Sequence, residues 1–217
     1  MYRIFGSLSL FAIGLLIVDL TLGLTGPDYN ALSREYREQV QGESEGPARS
    51  ARDEAADEAL LATRVRLEEA QQHVRLHILL GILAAVVTVL VQSVGVTYFI
   101  GTGRWCKEVV ETYELDSVWT QRANRIKRRS FPWAMLGIGT VLAIAAFGAA
   151  SDPGTLSETT AKWVTPHYWL GLVGTLVIAI CLWFQAVSIA RNQEVIEGIL
   201  EAVREVRERR GLAVEAM

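Results

Sequence analysis

Four long apolar runs constrain this chain more than any other feature: Ile4–Leu24, Ile78–Ile100, Phe131–Ala150 and Tyr168–Ala190. Each holds about 20 residues or slightly more, the length an α-helix needs to cross a bilayer. Lipid offers the backbone no hydrogen-bond partner, so a crossing segment must satisfy its own N–H and C=O groups, as a helix does. The runs predict an all-α integral membrane protein, a four-transmembrane-helix bundle with spans at 1–24, 78–100, 131–150 and 168–190.

Hydrophobic residues make up 51% of the chain, yet charged residues are still 21% and lie almost wholly between the runs. That segregation is the membrane pattern rather than the mixed pattern of a soluble core. A net charge of −3 gives no footing for nucleic acid or another polyanion. Cys106 and Cys181 do not read as a disulfide, since Cys181 lies inside the fourth run. The first run begins Met1-Tyr2-Arg3 and also suits a signal peptide. Its length, Asp19 within it and the lack of a small-x-small site before Pro27 favour a retained span.

Charge sets the expected orientation. Segment 101–130 carries Arg104, Lys107, Arg122, Arg125, Lys127, Arg128 and Arg129, while Arg3 precedes the first run and Arg191 follows the fourth. In a chain that weaves four times these fall on one side, which the positive-inside rule makes cytoplasmic. Both termini are then cytoplasmic, in the plasma membrane (the inner membrane of a bacterium). Segments 25–77 and 151–167 face the other way, and Trp163, Tyr168 and Trp169 stand at the outer boundary as interfacial anchors.

The polar segments carry their own patterns. Residues 29–41 suit a helix, and Gly42 to Pro47 breaks it. From about Ala48 no glycine or proline appears until Gly81, which predicts a long outer helix running straight into the second span. Leu60, Leu61, Val65, Leu67, Val74 and Leu76 give it an incomplete apolar stripe, against which 29–41 can fold as a hairpin. Gly101 and Gly103 read as a helix end, followed by a short interfacial helix; no strand or longer glycine fingerprint makes them a phosphate loop. The run Arg122, Arg125, Lys127, Arg128 and Arg129 is a topogenic signal and a candidate site for anionic lipid headgroups. After Arg191 the fourth span continues as a cytoplasmic amphipathic helix within 191–217. There Val195, Ile196, Ile199, Leu200, Val203 and Val206 recur at coiled-coil-like spacing, to pack on a second copy or on the inner segment.

Inside the spans, small residues such as Gly81 with Ala85 and Gly139 with Ala143 allow close helix approach. Asp19 is the one clear ionisable residue in a span, and Gln92 the main polar residue of the second. The histidines are His73, His77 and His167. His73 and His77 share a helix face, and all three stand with Asp19 at the outer ends of three spans. Imidazole binds zinc, copper and haem iron, so His73, His77, His167 and Asp19 form a candidate transition-metal set. His77 with His167 is a candidate axial pair for haem b. A pH-sensitive polar cluster without metal and three plain interfacial histidines are the alternatives.

No nucleotide loop or catalytic triad occurs, so an enzyme is not expected. The leading expectation is a non-enzymatic scaffold, accessory subunit or signal-coupling module in a homo-oligomer or larger membrane complex. A haem- or metal-binding redox subunit is the second expectation. A channel between copies, lined by Thr88, Gln92 and Ser93, is the third.

Overall fold

The apolar runs form helices that outlast them. The computed structural model describes residues 1–44, 51–152 and 160–211, which are helical almost throughout and contain no strand. In order they are α1 (Tyr2–Thr25), α2 (Tyr29–Ser44), α3 (Ala51–Thr112), α4 (Val118–Ser151) and α5 (Ala161–Arg209). All but α2 carry a stretch long and apolar enough to cross a membrane. With 62 residues, α3 is about three times the length a crossing requires. The 49 residues of α5 likewise extend well past its apolar run.

Two expected boundaries shift. Helix α3 passes through Gly101 and Gly103 without ending, and α4 begins at Val118, so 101–130 is mostly two helix ends rather than a loop with a short helix. A glycine costs a helix about 1 kcal/mol relative to alanine, too little to end a helix of this length. The reversal falls at Tyr113–Ser117. Leu115 N–H donates to Val110 O (3.0 Å), Glu114 N–H donates to Glu111 O (3.4 Å), and Glu114 has φ 53°. This is a Schellman ending with glutamate in the left-handed position that glycine usually fills. Asp116 then accepts from Val118 N–H (2.8 Å) and starts α4.

At the other end α5 starts at Ala161, earlier than the run beginning at Tyr168, and takes in Pro166. Pro132 likewise lies inside α4. Each proline removes one intrahelical hydrogen bond, a loss that neighbouring helices help membrane helices tolerate. The expected break at Pro47, the middle of the 151–167 segment and the final residues fall outside the described residues.

The chain divides into two compact units. The first contains Met1–Gly14, Ala85–Leu142 and Gly174–Met217; the second contains Leu15–Ala84 and Ala143–Val173. Each of the four long helices contributes a stretch to both units.

In the second unit α2 folds back along α3, as the sequence suggested. Asp28 accepts from Ala31 N–H (2.9 Å) and caps α2. Leu32 and Ala70 are buried, and Glu35 accepts from the buried Thr63 hydroxyl (3.4 Å) and stands 3.7 Å from Arg66. Leu61 and Val65 remain 62% and 49% exposed, apolar positions on an otherwise polar helix surface.

In the first unit one face of α5 is buried along its length: Ile178, Cys181, Gln185, Ile189, Asn192, Val195, Ile199 and Val203. The recurring steps of three and four are those of a helix packed along a seam. Past the apolar run, Val195, Ile199 and Val203 join Cys106 and Val110 of α3 and Ala123 of α4 in a hydrophobic core. Trp105, Trp119 and Leu115 pack around it. The apolar face of the last helix is therefore covered by the ends of α3 and α4 of the same chain.

Candidate functional site

Polar side chains inside an apolar bundle need partners, because lipid supplies none. The described residues hold such groups in each unit.

In the second unit Asp19, His77 and His167 come together. Asp19 Oδ1 lies 2.9 Å from His77 Nδ1, with side chains only 16% and 27% exposed. Both atoms are buried and fall short of a well-aligned hydrogen bond, so the contact is a close polar pairing rather than a linear one. The His77 and His167 rings face each other at 6.3 Å between centroids, tilted by 59°. Nδ1 of His167 is buried without a hydrogen-bond partner. His73 does not join them, since its Nε2 lies 2.8 Å from the carbonyl oxygen of Leu22.

Each of the four sits against a glycine of another segment, three of them within helices and Gly26 just past the end of α1. A Cβ on Gly81 would lie 3.2 Å from Asp19 Oδ2, and one on Gly23 would lie 3.0 Å from the His77 ring. A Cβ on Gly26 would lie 3.0 Å from His73, and one on Gly148 would lie 3.0 Å from His167. The sequence shows the polar residues but not these seats, which depend on which helices adjoin.

This geometry lends the metal or haem expectation no support. Among the described residues no group of three His, Cys, Asp or Glu side chains is spaced to hold a metal ion. His73 is spent on a backbone carbonyl. The His77 ring, Nε2 included, packs against Gly23, so the nitrogen a haem iron would take faces the backbone of α1.

The first unit holds a second set that the sequence only half revealed. Gln185 of α5 donates through Nε2 to Gln92 Oε1 of α3, and both residues are fully buried. Gln92 Nε2 presses into the notch at Gly137, and Gln185 Oε1 into that at Gly95. Further along, Asn192 Nδ2 stands 3.1 Å from both the Tyr98 hydroxyl and Thr102 Oγ1. Neither amide stands out in the sequence: Gln185 is one polar residue within an apolar run, and Asn192 follows Arg191 where polar residues are ordinary.

Thr88 and Gln92 are fully buried within the chain, and Ser93 Oγ donates to Val89 O of its own helix. The two buried groups cannot also line a pore between copies. Of the basic cluster, Arg122 lies 5.4 Å over the Trp119 ring. Lys127 and Arg128 border an apolar cleft whose lining includes neither Arg125 nor Arg129.

No protein-family model, curated protein or solved structure matches this chain.

Proposed function

We propose that this chain is a non-enzymatic multi-pass membrane protein, an accessory subunit that couples a partner on one side of the bilayer to a partner on the other. One observation carries the reading. Helices α3 and α5 run without interruption from apolar spans into polar extensions, and these extensions are packed rather than solitary. An anchor needs no such extensions. A continuous helix held by packing at both ends is a physical means of conveying a shift or rotation.

In this reading the basic segment and both termini are cytoplasmic, following the positive charge. The α2–α3 hairpin faces the opposite compartment and offers Leu61 and Val65 to its partner. The α5 extension offers Glu197, Glu201 and Arg204, because its apolar face is already covered. A larger membrane complex fits better than a homo-oligomer built on that face.

Photo-crosslinking in native membranes tests the reading. A crosslinker replacing Leu61 and another replacing Glu201 are expected to give discrete protein adducts of different mass. Adducts with lipid alone at both positions would remove the reading. A Soret band, or stoichiometric metal lost with His77→Ala, would replace it with the redox one.

A further inference from the structure

The first unit contains an apolar cleft of about 360 Å³ between the α3 and α4 stretches that flank the basic segment. Val96, Phe99, Ile100, Phe131 and Ala134 form its walls, and Lys127 and Arg128 stand at its edge. No acidic side chain lines it. The nearby glutamates on α3 already have partners: Arg104 lies 2.8 Å from Glu108, and Lys107 lies 3.7 Å from Glu111.

The order along α4 matters. Lys127 and Arg128 stand four and three residues before Phe131, the first residue of the apolar run. Charge therefore stands at the depth of headgroups, with the apolar wall at the depth of acyl chains. Ile100 is 62% exposed and Phe131 48%, so the cleft opens where a lipid chain can enter. The Lys127 ammonium extends across α3 at Gly103, where a Cβ would lie 3.6 Å from Nζ.

We propose that this cleft binds one anionic phospholipid, its phosphate held by Lys127 and Arg128 and an acyl chain lying against Phe99, Ile100 and Phe131. A free anion would use only the charges, and a zwitterionic lipid chiefly the walls. The cleft offers both. The proposal is independent of the coupling function.

The test uses the full-length protein in mild detergent, titrated with dioleoyl phosphatidylglycerol, dioleoyl phosphatidylcholine or inorganic phosphate. Bound molecules are counted by native mass spectrometry. One phosphatidylglycerol is expected to be retained at a concentration about tenfold below that needed for phosphatidylcholine. Inorganic phosphate is not retained. The double variant Lys127→Gln/Arg128→Gln is expected to lose the preference, while Arg125→Gln/Arg129→Gln, with the same change in charge, keeps it. Equal retention of the two lipids overturns the proposal, as does phosphate binding as well as lipid. Equal loss in both double variants also overturns it, because the attraction is then diffuse. The comparison on the unsubstituted protein decides the matter even if a variant misfolds.

Discussion

Nε2 of Gln92 lies where Gly137 has no side chain. A Cβ there would overlap it, while Oε1 of Gln92 accepts from Gln185 on a third helix. The amide is fully buried and tied at its other end, so it has no ready alternative position. Gly137→Ala is expected to destabilise the protein by about 1–3 kcal/mol through overpacking. Gly139→Ala, with nothing within 4 Å of the new Cβ, should be close to neutral. Thermal unfolding in detergent separates the two. Adding Gln92→Ala should restore part of the Gly137→Ala loss, since the paired sites are in contact.

Asp19 and His77 make a second pairing whose partners fail differently when removed. His77→Ala leaves a poorly exposed carboxylate against Gly81 of α3 without its imidazole partner, at a cost of about 3 kcal/mol. Asp19→Asn keeps the shape and removes the charge, so its cost should be smaller. Unfolding midpoints of the two single variants check that order.

Glu114 holds the left-handed position at the end of α3, with φ 53°. A non-glycine residue there costs roughly 1–2 kcal/mol. The 3.8 Å approach of Arg210 to Glu114 joins exposed side chains and offsets little of that. Glu114→Gly is expected to raise stability by about 1 kcal/mol in the same assay.

Cys106 lies beyond the apolar run, in the core shared with Val110 and Val195. Burial raises its pKa, so less thiolate is present at neutral pH than for a free thiol. Maleimide labelling should be slow in the folded protein and rapid after denaturation. Rapid labelling of the native protein would mean that this core is not formed.

What the sequence disclosed follows from what each feature depends on. Apolar runs and the charges beside them are properties of consecutive residues, so the four spans and the long extensions of α3 and α5 were legible. Asp19, His77 and His167 could be placed in one layer by counting turns. Their seats on Gly81, Gly23 and Gly148 could not, because these depend on which helices adjoin. Gly101 and Gly103 misled because they resemble a break, whereas the true reversal at Tyr113–Ser117 contains neither glycine nor proline. Only Asp116, a cap residue, marked it.

Coupling along the continuous helices can be followed by hydrogen–deuterium exchange. The comparison is between the unsubstituted protein and His77→Ala, each folded in detergent or nanodiscs. Faster exchange is expected around residue 77, together with a measurable change in the amides of Cys106–Thr112 and Val195–Val203. A change confined to the neighbourhood of residue 77, with those distant amides unaltered, would contradict it.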